Sequence, residues 1–191
     1  RVTQQPTSLY PEYTFDWGDW MEEKGEEVSK YQALIGLPYT HFGTGKFNLE
    51  SWEVDRLCLA ASSNTGLPMI NNRSAKASLT DSWKAIQWVS HPTIARQNLE
   101  DVGEEAILLV VLPGANLGVG EQFLVDQAQP LGGTDFAQMY KLEIAKLRDG
   151  LKSQQSLFPP IVKGVRGKEN GFVYRLEEGF WVENETYTLF E

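Results

Sequence analysis

Ala106 to Leu112 is the longest clearly apolar stretch of the chain, and the β-branched content of Glu105-Ala-Ile-Leu-Leu-Val-Val-Leu112 predicts a strand. Pro113-Gly114 marks a turn, and Glu121-Gln-Phe-Leu-Val-Asp126 supplies a second run. A hairpin is therefore expected, with Ala115 to Gly120 as its loop. Phe136, Tyr140, Ile144, Leu147 and Leu151 recur at helical spacing behind Thr134 as a cap and Asp135 in the first turn, with Gly150 near the far end. This pattern predicts a helix from Thr134 onward. Val28, Tyr31 and Ile35 share helical spacing within Glu26 to Ile35, and Gly36 with Pro38 is a fitting stop, so a short helix is expected there. Ser51 can cap a helix striped by Val54, Leu57, Cys58 and Ala61, although the same residues tolerate a strand. Asp81 can cap a short element holding Trp83, Ile86 and Val89, which Ser90-His91-Pro92 ends.

Elsewhere the pattern is weaker. Phe15 and Trp17 alternate with polar positions as a half-buried strand does, until Gly18 breaks the alternation. The first twelve residues, with Pro6 and Pro11, read as an extended N-terminal arm, leaving 13–191 as a single α+β domain. Ser62 to Ser78 is rich in Ser, Asn, Gly and Pro and reads as a long surface loop. Beyond Phe158-Pro-Pro160, strands are expected at Ile161 to Val165 and Phe172 to Leu176, with Gly164, Gly167 and Gly171 between them. Glu178-Gly179 then turns the chain into a β-prone run, Phe180 to Phe190. Together these elements predict an α+β fold, with antiparallel sheet or sheets, or a partly open barrel, and one or more packed helices.

Composition narrows the class. A chain of 191 residues with 41% hydrophobic content is long enough for one domain with a genuine core. No stretch reaches the roughly 18 consecutive apolar residues of a membrane span, and Arg1 to Gln5 shows no secretory signal among the residues given. The single cysteine, Cys58, cannot form an internal disulfide, so a cytoplasmic location is expected. Asn184-Glu185-Thr186 fits the glycosylation triplet but carries little weight without a secretion signal.

Charge changes the picture more. The net charge of -9 means that the average surface repels nucleic acid and anionic lipid. Its distribution is uneven: Glu12 to Glu27 holds seven acidic residues against Lys24 alone, whereas Lys141 to Arg175 holds eight basic residues against Glu143, Asp149 and Glu169. A basic island thus lies between acidic flanks.

Candidate chemistry is sparse. His41 and His91 are the only histidines, fifty positions apart, so no closely spaced metal motif can be assembled and no metal or cofactor is expected. Gly43-Thr-Gly45-Lys46 superficially resembles a phosphate loop, but the motif needs glycine where Thr40 stands and Ser or Thr where Phe47 stands. Gly164-Val-Arg-Gly167-Lys168 fails the same test. Cys58 between Leu57 and Leu59 reads as a small buried hydrophobe rather than a nucleophile, which leaves no catalytic residue to name.

A binding role remains. Single-stranded nucleic acid is held by a basic groove with exposed aromatic faces on which bases stack. Lys163, Arg166, Lys168 and Arg175 alternate with Phe172 and Tyr174, and Trp181 lies on the next strand. The leading expectation is a non-enzymatic binding protein that contacts single-stranded nucleic acid through these residues. One alternative is a protein-interaction or assembly module using the acidic aromatic N-terminal segment, with Trp17 and Trp20 as contacts. A second is a small hydrolase or lyase using scattered carboxylates or Cys58. The bland counterpart is that strand aromatics pack a core and a glycine-rich basic turn is merely solvated.

Overall fold

The structure is a computed structural model that describes residues 11–40, 50–71 and 79–156, together with three later strands, Arg166–Glu169, Phe172–Glu177 and Phe180–Glu183. Five α-helices and two sheets are present among the described residues, and the fold is α+β with packed helices.

Its frame is a mixed, open four-stranded sheet. Strand β1 (Tyr31–Leu37) runs parallel to β2 (Ala106–Val111), β2 pairs antiparallel with β4 (Gln138–Leu142), and β4 pairs antiparallel with β3 (Gln129–Gly133). Every residue of β2 is buried, as a central strand covered on both faces requires. Ile107, Leu109 and Val111 face a core completed by Phe123 and Leu124 of α4 (Val119–Gln127) and by Ile144, Leu147 and Leu151 of α5 (Ile144–Ser156). Ala106, Leu108 and Val110 face the opposite core, built from Trp17 and Met21 of α1 (Trp17–Glu23) and Val54, Leu57, Cys58 and Ala61 of α2 (Glu50–Thr65). The remaining helix, α3 (Leu79–Gln87), leads into Trp88 and Val89 on the first face. The helical stripe expected after Ser51 is therefore the buried side of α2, and the strand expected at Glu105 to Leu112 is β2.

Several expected elements take another form. The segment Glu26 to Ile35 is not a helix: after a 3-10 turn, Val28–Lys30, it becomes β1. Apolar runs of this length fit either element, and here burial on both faces of the sheet outweighs the helical spacing of Val28, Tyr31 and Ile35. Gly36 is needed because a Cβ there would collide with Cys58 Sγ and Val54 Cγ1 of α2. The open edge of β1 is covered by the chain after α2. Leu34 N–H donates to Pro68 O (2.9 Å) and Leu34 O accepts from Ile70 N (2.9 Å), while the Asn71 side chain accepts from Gly36 N (2.6 Å) and donates to Gly36 O (3.1 Å).

The hairpin from β2 to Glu121–Asp126 does not form, because that second run is helix α4. Gly120, Glu121, Phe123 and Leu124 are its buried side, a one-sided helical pattern. The helix expected from Thr134 begins only at Ile144. Thr134 Oγ1 accepts from Ala137 N (3.1 Å) and closes a turn into β4, so Phe136 and Tyr140 pack against opposite cores instead of sharing a stripe. The half-buried strand expected around Phe15 is instead a 3-10 turn, Pro11–Tyr13, followed by α1, whose first turn Asp16 caps by accepting from Asp19 N (3.0 Å). The Ser62–Ser78 loop is shortened by α2, which runs to Thr65 before Gly66 adopts φ +77. Residues 1–10, Ile161 to Val165 and the run beyond Glu183 lie outside the described residues.

Candidate binding surfaces

The basic window divides into two parts that differ in their partners. In the first part, Lys141 and Arg148 are tied into the fold, whereas Lys146 and Lys152 face solvent. Lys141 is on β4, where its Nζ lies 3.0 Å from Glu26 Oε2 and both side chains are largely buried. Tyr31 Oη donates to the same carboxylate at 3.1 Å, and burial together with the Glu26 charge pushes the Tyr31 phenol well above its ordinary range. Arg148 forms an ion pair with Glu104 and donates through Nη2 to Leu99 O (2.9 Å) and Val102 O (3.1 Å). Lys152 pairs with Asp149 one helical turn away. Lys146 is exposed on α5.

The second part is a three-stranded antiparallel sheet of β5 (Arg166–Glu169), β6 (Phe172–Glu177) and β7 (Phe180–Glu183), in the order β5-β6-β7. Its register decides which positions share a face. Arg166 stands opposite Arg175 and Lys168 opposite Val173, while Arg175 stands opposite Val182 and Glu177 opposite Phe180. Cross-strand partners lie on the same face and alternate along each strand. Positions 166, 168, 173, 175, 177, 180 and 182 therefore share one face, which gathers the three cations Arg166, Lys168 and Arg175. Phe172, Tyr174 and Trp181 fall on the other face with Gly167, Glu169, Leu176 and Glu183. The expected stacking aromatics and phosphate-binding cations are thus on opposite faces. The aromatic position that does share the cation face is Phe180, which strand alternation alone could not place without the β6–β7 register. Lys163 lies outside the described residues.

The N-terminal contact residues divide as well. Trp17 is 1% exposed and packs edge-on against Phe15 and Phe136, so its ring belongs to the core and not to a contact surface. Trp20 is half-buried, with Lys24 Nζ 5.5 Å from its ring centroid.

Cys58 is fully buried beneath β1, and desolvation, followed by the Asp55 charge, pushes its thiol far above the ordinary range. A thiol held protonated in this way is a poor nucleophile. His91 lies exposed in the turn after α3, its Nδ1 2.8 Å from Thr93 Oγ1. Where β1 ends, a cavity of about 270 Å³ is lined by Pro38, Tyr39, Thr40, Asn116, Leu117, Gly118 and Glu121. Carboxyl ends of parallel strands are common ligand sites, but the buried polar groups here strap the fold together. Glu121 accepts from Tyr39 N (2.9 Å) and Gly118 N (2.6 Å), and Thr40 donates to Asp55 (2.6 Å). Among the described residues no group of His, Cys, Asp and Glu has the arrangement to hold a metal ion, and no helix is long and apolar enough to cross a membrane. No protein family, curated protein or solved structure matches this chain.

Proposed function

We propose that the protein is a non-enzymatic binding protein, acting in the cytoplasm, that holds single-stranded nucleic acid on the cation-bearing face of the β5–β7 sheet. Arg166, Lys168 and Arg175 supply phosphate contacts, and Phe180 supplies a face for one base. The single observation that carries this reading is the register that sets Arg166 directly opposite Arg175. Like charges in direct cross-strand opposition destabilise a sheet, and a bound polyanion offsets that repulsion by attracting both cations. The acidity of the whole chain is compatible with this, because binding follows the local field and counter-ion release from the nucleic acid.

The opposite-face aromatics Phe172, Tyr174 and Trp181 then pack or contact a partner, and the strand of nucleic acid is held mainly through its backbone. Binding of this kind is tolerant of sequence and strongly salt-dependent. Titration of a fluorescent oligothymidine, followed by anisotropy at rising salt, tests the reading. The expected result is binding at low salt, with the logarithm of the affinity falling in proportion to the logarithm of the salt concentration by about 0.7 per phosphate contact. Absence of binding at low salt removes it.

A further inference from the structure

Two buried polar side chains outside the surfaces above carry atoms that the fold leaves unsatisfied. Arg96 stands at the start of the 3-10 turn Gln97–Asp101 and is 6% exposed; Asn98, two positions on, is 5% exposed. Arg96 Nη2 donates to Ser90 O at 2.9 Å, and the guanidinium lies over the Phe123 ring, 5.7 Å from its centroid. Among the described residues, Arg96 Nε and Nη1 and both side-chain polar atoms of Asn98 have no hydrogen-bond partner. Asn98 is nonetheless fixed in place, since its backbone N–H donates to the buried Gln87 Oε1 at 2.9 Å.

The imbalance has a sign. Arg96 offers one unused N–H on Nε and two on Nη1, and the Asn98 amide offers two more against a single acceptor oxygen. Burial lowers the Arg96 pKa to about 10, with no neighbouring carboxylate contributing. The side chain is therefore still cationic at neutral pH, without an acidic partner among the described residues. Water can satisfy N–H groups, but it leaves a desolvated charge uncompensated. A buried cation with unused donors and no acidic partner among the described residues has the composition of an anion site.

We propose that Arg96, assisted by the Asn98 amide, forms an internal site for a small oxyanion, either a planar carboxylate or a tetrahedral phosphate. The Phe123 ring forms its apolar wall. This site is independent of the nucleic-acid face.

Thermal unfolding in a chloride buffer at fixed ionic strength tests the proposal, with inorganic phosphate and acetate titrated separately to distinguish the two shapes. At least one of them raises the Tm progressively, by about 5 to 10 °C at a concentration one hundred times its dissociation constant. The response is lost in Arg96→Gln. A second variant, Asn98→Asp, keeps Arg96 and supplies a built-in carboxylate; it is expected to raise the Tm without added anion and to abolish the response. Phosphate bound on the β5–β7 face is separated by repeating the titration in the Arg166→Glu, Arg175→Glu double variant, where the response persists. Equal Tm in all buffers, an unchanged response in Arg96→Gln, or loss of the response in the double variant would each overturn the proposal.

Discussion

Lys141 and Arg175 belong to the same basic stretch of sequence, yet they stand in opposite electrostatic situations. Lys141 is held against Glu26 beneath the Tyr31 hydroxyl, and Arg148, seven positions on, is divided between Glu104 and two backbone carbonyls. Arg175 faces Arg166 across the β5–β6 ladder. The first region uses its cations to fasten the N-terminal segment and the turn before β2 onto β4 and α5. The second places Arg166, Lys168 and Arg175 on one face, with Glu177 as its one acidic position. A run of basic residues therefore contributes a field only where cations outnumber the carboxylates beside them, and the β5–β7 face, with three cationic positions to one acidic position, Glu177, meets that condition.

This contrast can be broken most directly by reversing charge in each region. The Arg166→Glu, Arg175→Glu double variant is expected to weaken oligonucleotide binding at low salt about a hundredfold and to flatten the salt dependence by about 1.4 in logarithmic slope, the share of two phosphate contacts. Lys146→Glu, on exposed α5, is expected to leave both quantities nearly unchanged. Anisotropy titrations of the two variants give the comparison. Equal losses in both would mean that net charge, not the β5–β7 face, governs binding.

Stability should respond in the reverse order. Lys141→Met leaves Glu26 largely buried without its cation, a change expected to cost about 2 to 3 kcal/mol in urea unfolding, because breaking a buried pair strands the remaining charge. Oligonucleotide affinity should stay within twofold. A fall in affinity comparable with that of the double variant would join the two regions that the register separates. A smaller effect is expected from Phe180→Ala: loss of one stacked base weakens binding by about 1 kcal/mol or slightly more, roughly five- to tenfold, with the salt slope unchanged. Trp181→Ala, at a position on the other face, should not reproduce it.

What the sequence made legible follows from the physics of each element. Helix α2 could be read because its buried residues Val54, Leu57, Cys58 and Ala61 all lie on one side, and β2 because a β-branched run buried on both faces has few other solutions. Strand β1 is hidden because a doubly covered strand has no alternation to betray it, and Val28, Tyr31 and Ile35 fall at helical spacing. Helix α4 is hidden for the related reason that Phe123 and Leu124 sit in a β-prone run, while the signal that ties its first turn, Glu121 reaching back to Gly118, is a side-chain bond. On the candidate site, sequence groups the cations and aromatics of the C-terminal window but cannot divide them by face. Alternation is a property of one strand, whereas the offset between strands is set by their pairing. Arg96 gave no signal at all, since nothing local distinguishes a buried arginine from a solvated one.

The finest distinction between the two regions is their response to alkali. The Tyr31 phenol belongs to the Glu26–Lys141 cluster, and its pKa in the folded chain is raised above the ordinary tyrosine value of about 10 by burial first and by Glu26 second. A raised folded-state pKa means that the unfolded chain loses the proton more readily, so the stabilising contribution is complete below about pH 10 and declines as the pH rises beyond it. Tyr39 is raised by burial in the same direction, so the wild-type protein should lose stability between pH 9 and pH 11 through more than one group. Replacing Tyr31 with Phe removes one of them. The variant is expected to be slightly less stable at pH 8, where the Tyr31–Glu26 hydrogen bond is lost, but to show a shallower decline toward pH 11 than wild type. Urea midpoints measured across that interval check the sign, and an identical decline in both proteins would mean that Tyr31 ionises as freely in the folded chain as in the unfolded one.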